Sequence, residues 1–139
     1  MSSQAQTTNA GVVTVEDNTI ISTEADFINT SVGVWVNDGE AYIYENFKNN
    51  GVVSHSSTSL GLTRFQGTSL QIIDGTEESE FKDLLFYNTS LPSPFELNGK
   101  IKVNGTSEFN QGIVQNRGLD GLFLFTNNGL ATNTWNRSH

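Results

Sequence analysis

The sequence predicts an all-β chain wound as a parallel β-helix, a β-solenoid of about five short coils, with an antiparallel β-sandwich as the alternative. Three observations point there. First, the apolar segments are mostly three to six residues long and are punctuated by Asn-Gly or Asp-Gly breaks 6–24 residues apart, which is short for sandwich strands but suits a strand followed by a tight corner. Second, Phe27, Phe47, Phe65, Phe86 and Phe109 recur at separations of 20, 18, 21 and 23 residues, close to one coil. Third, 16 Asn, 15 Thr, 14 Ser and 13 Gly make up 58 of the 139 residues. Stacked coils place Asn and Thr in ladders that hydrogen-bond along the stack. The same Asn-Gly pairs are the strongest short hairpin signal, and that keeps the sandwich open.

The elements follow in order. Val12, Val13 and Val15 form a strand, Asp17-Asn18 a turn, and Ile20-Ile21 the next strand. Val32, Val34 and Val36 alternate with Gly33, Trp35 and Asn37. That period of two marks a pleated strand with one buried face. Taking the valines as the buried set turns Trp35 outward. Asn37-Asp38-Gly39 closes this strand with residue types that tolerate the left-handed region. Ala41 and Ile43, flanked by Tyr42 and Tyr44, lead to Asn49-Asn50-Gly51. Val52-Val53 precede the polar run His55-Ser56-Ser57-Thr58-Ser59. Leu60, Leu62 and Phe65 run into Gln66-Gly67, and Leu70, Ile72 and Ile73 run into Asp74-Gly75. The charge run Glu77, Glu78, Glu80, Lys82, Asp83 reads equally as a helical turn or as strand bounded by acidic turns. Phe81, Leu84, Leu85 and Phe86 then build a strand, and Pro92 and Pro94 sit in a loop. Phe95 and Leu97 end at Asn98-Gly99, and Ile101 and Val103 at Asn104-Gly105. Ile113-Val114 and Leu122-Phe123-Leu124-Phe125 are the last strands, closed by Asn127-Asn128-Gly129 before a polar tail with Trp135. The expected organisation is a flexible start over 1–10 and one solenoid domain over 11–139, part of a longer chain.

Composition excludes other classes. Cysteine is absent, so no disulfide scaffold, zinc ribbon or thiol nucleophile exists. A net charge of −8 opposes a grip on nucleic acid, which rests on clustered Lys and Arg. No run of about 18 apolar residues is present to span a membrane. Low charge, with Asn and Gly in place of Glu, Lys and Ala, opposes a helical bundle. Full disorder is opposed by 35% hydrophobic residues, nine Phe among them. The start MSSQAQTTNA lacks the basic and apolar regions of a signal peptide. The Ala-Gln near residue 5 matches residue types found at a bacterial signal cleavage site, and the plain alternative is a small polar terminus.

The phrase VWVNDGEAYIYENFKNNG over 34–51, with RFQGTSLQIIDG over 64–75, FKDLLFYNTS over 81–90 and ELNGKIKVNG over 96–105, resembles the repeat regions of large secreted surface proteins of Bacteroidetes. These are adhesin-like proteins of the type nine secretion system, some linked to gliding motility. The order of the phrases carries the resemblance, which covers roughly 27–139, and NTWNRSH over 133–139 looks like the lead-in to a further domain. The resemblance implies a parallel β-helix at the surface of a Gram-negative bacterium, outer-membrane associated, with no active site.

The chemistry-bearing residues are few. His55 and His139 are the only histidines, and no Gly-x-Ser-x-Gly elbow exists to pair with His55. Glu77, Glu78, Glu80 and Asp83 supply carboxylates for glycoside hydrolysis by count, but a solvated acidic turn is the better account of them. Polysaccharide lyases share the parallel β-helix, and Arg64, Lys100, Lys102 and Arg117 are the candidate bases for such chemistry. Oxygen ligands for Ca²⁺ occur at Asp17-Asn18, Asn37-Asp38-Gly39 and Asp74-Gly75-Thr76-Glu77, none in an EF-hand pattern. Trp35, Tyr42 and Tyr44, beside Asp38, Glu40 and Glu45, form an aromatic cluster suited to stacking a glycan or docking a protein.

The expectation is therefore a non-enzymatic structural or interaction module of a secreted cell-surface adhesin-like protein, acting in adhesion or surface assembly. It has no catalytic set, metal or cofactor, and its partner contacts are Trp35, Tyr42 and Tyr44. Expected partners are other proteins or surface glycans, with self-association through the solenoid ends. The alternatives are a carbohydrate-binding or polysaccharide-processing β-helix, and an end-to-end filament subunit.

Overall fold

In a computed structural model, which describes residues 5–57, 60–90, 92–117, 120–126 and 129–132, the chain is a parallel β-solenoid with three faces. The first sheet, sheet A, stacks β1 (Gln6–Asn9), β4 (Asp26–Asn29), β7 (Phe47–Asn49), β10 (Gln71–Asp74), β13 (Phe95–Leu97) and β16 (Val114–Asn116). Sheet B stacks β2 (Val12–Val15), β5 (Val34–Asn37), β8 (Val52–Ser54), β11 (Ser79–Phe81), β14 (Lys100–Val103) and β17 (Leu122–Phe125). Sheet C stacks β3 (Ile20–Thr23), β6 (Glu40–Ile43), β9 (Leu62–Phe65), β12 (Asp83–Tyr87), β15 (Thr106–Gln111) and β18 (Leu130–Thr132). Every pairing is parallel, as in Phe27 with Phe47, Val34 with Val52 and Glu40 with Leu62. Each sheet is six strands deep, so five rises separate the first rung from the last. The helical turn considered for the acidic run is absent: Glu77 and Glu78 form an exposed corner, and β11 and β12 follow.

Corner chemistry sets the strand lengths. Asp17-Asn18 turns β2 into β3, with Asn18 at φ 64°. The Asn-x-Gly phrases close strands by one device, in which the Asn Oδ1 accepts the Gly N–H two residues on. It recurs at Asn9–Gly11, Asn37–Gly39 and Asn49–Gly51, each at 3.0–3.1 Å. Longer corners at 55–61, 66–70 and 88–94 explain why the repeat is irregular in sequence. The expected corner at Asn127-Asn128 and the tail holding Trp135 and His139 lie outside the described residues, as do Thr58 and Ser59.

The interior is two aromatic columns and one amide ladder. The five phenylalanines do not share one column. Phe27 and Phe47 pair in sheet A with near-parallel rings 5.5 Å apart. Phe65, Phe86 and Phe109 pair in sheet C, with successive rings 5.5 and 5.1 Å apart. The columns meet edge-on where Phe47 touches Phe65 at 5.8 Å and 82°. Offset-stacked and edge-to-face pairs of this kind add about 0.5–1.5 kcal/mol each beyond burial. At the sheet A strand ends, Asn9 Nδ2 donates to Asn29 Oδ1 and Asn29 Nδ2 to Asn49 Oδ1, both at 2.9 Å.

Two sequence expectations are corrected here. Strand pairing begins at Gln6, inside the segment read as flexible over 1–10, because Asn9 anchors the amide ladder and β1 pairs with β4 along its whole length. Trp35 does not point outward: it is 1% exposed and packs between Phe27 at 4.9 Å and Phe47 at 5.7 Å. The period of two is right and the face is reversed. Asn37, two residues on, must enter the interior, where its Nδ2 donates to Leu62 O and Thr63 Oγ1. The valines take the outer face, where β-branched side chains suit the pleat without burial, and Val32 is 69% exposed.

Candidate functional site

The outer face of sheet C carries the clearest cluster of ordered polar and aromatic groups. Its position follows from register. Tyr42 on β6 pairs with Arg64 on β9, and Glu40 with Leu62, so Glu40, Tyr42 and Arg64 all stand outward while Ala41 and Ile43 point in. Arg64 Nε lies 2.6 Å from Glu40 Oε1, and the guanidinium sits 5.2 Å from the centre of the Tyr42 ring. Tyr44 lies beside Tyr42 with centroids 6.1 Å apart and rings within 18° of parallel. The neighbouring Tyr42 hydroxyl first, and Arg64 second, hold Glu40 below the usual carboxylate range. The Glu40 carboxylate in turn raises the Tyr42 phenol above its ordinary value, because it favours the protonated form. The Arg64–Glu40 pair and the Arg64–Tyr42 contact hold three of these groups together, and the Tyr44 ring stacks beside them.

Of the three contact residues expected from sequence, Tyr42 and Tyr44 are therefore together on the surface, and Trp35 is not with them. Arg64 is the member that sequence reasoning assigned to another role. Its separation of 22 residues from Tyr42, one coil, is the signal that locates it.

His55 lies at the corner after β8. Its Nδ1 is 2.7 Å from Ser56 O, which assigns the ring proton to Nδ1, and its Nε2 accepts from Asn104 Nδ2 at 2.8 Å. Asn104 also donates to Glu80 Oε1 at 2.6 Å, and Lys102 stands 3.8 Å from Glu80 Oε2. Glu80 is thus tied into sheet B instead of converging with Glu77 and Glu78. Asp83 Oδ1 accepts the Thr106 N–H at 2.7 Å and braces the next corner.

Two open hollows collect charged groups. One, of about 400 Å³, is lined by Lys48, Asp74, Asn98, Lys100 and Asp120 among others. Lys48 and Asp74 are register partners on β7 and β10, and Lys100 and Asp120 arrive from the rungs beyond. The expected bases separate: Lys100 enters this hollow, Arg64 belongs to sheet C and Lys102 to sheet B. The second hollow, about 330 Å³, brings the turn residues Asp17, Asn18, Asp38 and Gly39 to one corner with Glu40. Asp38 Oδ1 there accepts the Ser56 N–H at 2.7 Å, and among the described residues no three His, Asp or Glu side chains converge on a point where a metal ion fits. No helix among the described residues is long and apolar enough to cross a membrane.

Comparison with known proteins returns no match, whether to a family profile, a curated sequence or a solved structure.

Proposed function

We propose that this chain is a non-enzymatic interaction module of a secreted bacterial cell-surface adhesin-like protein, and that it binds through the outer face of sheet C. The observation that carries the reading is the Glu40–Tyr42–Arg64 arrangement with Tyr44 beside it. Tyrosine supplies apolar contact area and a polar tip at little conformational cost, and here the cost of ordering is met before binding. A solenoid suits the role because it holds such a face rigid along the stack. The ligand class that fits is a surface glycan or a protein with exposed hydroxyl and apolar groups. The setting, outside a Gram-negative cell, rests on the sequence resemblance.

A second reading, a carbohydrate-binding or polysaccharide-processing β-helix, is favoured by the hollow of Lys48, Asp74, Lys100 and Asp120. Two ammonium groups beside two carboxylates suit an acidic sugar. The readings separate in one experiment. The chain is titrated with neutral and with uronic-acid polysaccharides, while chain length of the polymer is followed by viscosity. Binding that Tyr42→Ala/Tyr44→Ala removes, with viscosity constant, supports the interaction module. A falling viscosity that Lys48→Ala/Lys100→Ala prevents overturns it in favour of the enzyme.

A further inference from the structure

We propose that Asn98, at the corner between β13 and β14, is a self-modifying site: its side-chain amide is lost to water through a cyclic imide formed with Gly99, and a new carboxylate is left beside Lys48 and Lys100.

Among the described residues three pairs have the right chemistry, Asn50-Gly51, Asn98-Gly99 and Asn104-Gly105. In such a pair the glycine nitrogen can attack the asparagine side-chain carbon, because glycine has no side chain to shield its nitrogen or restrict its backbone. The reaction needs the glycine N–H released from its acceptor and the side-chain amide free to swing into a near-attack geometry. All three asparagines are half-buried and all three glycines are buried, so burial does not separate the pairs. Their hydrogen bonds do.

Asn104 is held most firmly. Its Nδ2 donates to Glu80 Oε1 at 2.6 Å and to His55 Nε2 at 2.8 Å, and the Gly105 N–H donates to Lys82 O at 2.7 Å. Asn50 is held at its oxygen. Its Oδ1 accepts from the Thr76 N–H at 3.1 Å and the Thr76 hydroxyl at 3.3 Å, and the Gly51 N–H donates to Asn49 Oδ1 at 3.0 Å. Asn98 has a single side-chain bond, from Nδ2 to Glu96 Oε1 at 3.4 Å, beyond the usual N–H···O range. The Gly99 N–H reaches Ile73 O at 3.2 Å, and that oxygen already accepts the Asn98 N–H at 2.8 Å. The bonds that oppose ring closure are therefore fewer and longer at Asn98 than at the other two pairs, and the local opening that precedes reaction is easiest there.

The steps balance with water alone. The Gly99 N–H gives its proton to solvent hydroxide as the nitrogen bonds to Asn98 Cγ. The Cγ–Nδ2 bond breaks, and Nδ2 takes a proton from water and leaves as ammonia. A second water opens the imide. Opening at Cγ leaves an ordinary aspartate at position 98. Opening at the main-chain carbonyl leaves an isoaspartate, in which the backbone runs through the side chain and gains a carbon.

Position gives the change its consequence. Asn98 lines the hollow of about 400 Å³ that also holds Lys48, Asp74, Lys100 and Asp120. Among the described residues neither lysine has an ion-pair partner, and the new carboxylate supplies one while it makes the hollow less favourable to anions. An isoaspartate does more. Gly99 packs so closely on the rung below that a Cβ would stand 3.0 Å from Asp74 C, so a longer backbone strains this corner.

The test incubates the native full chain in mildly alkaline buffer and maps its peptides by mass spectrometry over time. Cleavage after Lys and Arg puts the three pairs on separate peptides, 49–64, 83–100 and 103–117. Asn98 should convert at least about tenfold faster than Asn50 or Asn104, with isoaspartate among its products, while the urea-unfolded chain converts all three at similar rates. The wild-type melting temperature should fall as isoaspartate accumulates, and that of Asn98→Gln should not. If Asn98→Gln melts lower at the outset, Asn98→Ser takes its place. Conversion of Asn50 or Asn104 in the native chain as fast as that of Asn98 overturns the proposal. So does an Asn98 that stays intact over a period in which the unfolded chain loses all three amides.

Discussion

Trp35 and Glu40 show what single side chains contribute. The Trp35 indole fills the space between two phenylalanine rings, and its Nε1 has no hydrogen-bond partner among the described residues. Truncation to Ala should cost about 3–5 kcal/mol, the usual range for removing a buried large aromatic. Trp35→Phe should cost about 1 kcal/mol or less, because lost volume is offset by removal of an unsatisfied buried donor. Denaturant unfolding of both variants measures the difference. Glu40 governs a pH response. Its folded value is depressed by Tyr42 and then Arg64, so its contribution is present above its ordinary value of 4.5 and is lost as pH falls through the depressed folded value. The pair is partly exposed, which limits the contribution to about 1 kcal/mol. Glu40→Gln should flatten the acid limb of stability below pH 4.5 by that amount, read by thermal melting against pH. Tyr42 acts at the other end: its raised value gives stability that is present below about pH 10 and lost as pH rises through the folded value.

The amide ladder is the element most exposed to a single change. Asn29 is fully buried, accepts from Asn9 Nδ2, and donates to Asn49 Oδ1 and to Val52 O at 3.0 Å. Asn29→Ala takes one hydrogen bond each from Asn9, Asn49 and Val52 O and opens a cavity, and should lower stability by about 2–3 kcal/mol. Asn50→Ala, at a half-buried neighbour outside the ladder, should cost well under half of that, as chemical denaturation of the two variants will show. The ladder stops where Gly75 succeeds Asn49. Gly75 has φ 131°, and a Cβ there meets the Asn49 backbone. Gly75→Ala should therefore destabilise although it adds only a methyl group, and a lower melting temperature is the expected reading. These elements also mark how far the sequence could be read. Asn-x-Gly corners and the period of two are local, and both strand ends and the parallel solenoid followed from them. The face of β5 was not local: it depends on Asn37 reaching Thr63, 26 residues away. The first strand was missed because its sequence, Gln-Thr-Thr-Asn, has no apolar alternation and is held by a partner 20 residues on.

At the scale of the molecule, three parallel sheets wind around a core of aromatic and aliphatic side chains with buried amides at strand ends. The proposed contact face was half legible. Tyr42 and Tyr44 were visible as neighbours, yet Arg64 came to them only through coil register, and Trp35 left them when the face of its strand reversed. Lys48, Asp74, Lys100 and Asp120 were not legible as a group, because they come from strands and corners of different sheets whose unequal lengths hide that they meet at one hollow. The central claim is that the chain acts by binding through sheet C. Its most direct test is saturation binding of fluorescently labelled full chain to intact Gram-negative cells, wild type against Tyr42→Ala/Tyr44→Ala at matched melting temperature. The account predicts saturable binding that weakens at least about tenfold in the variant, equivalent to about 1.4 kcal/mol. Equal binding by the two chains, or no saturable binding by the wild type, would contradict it.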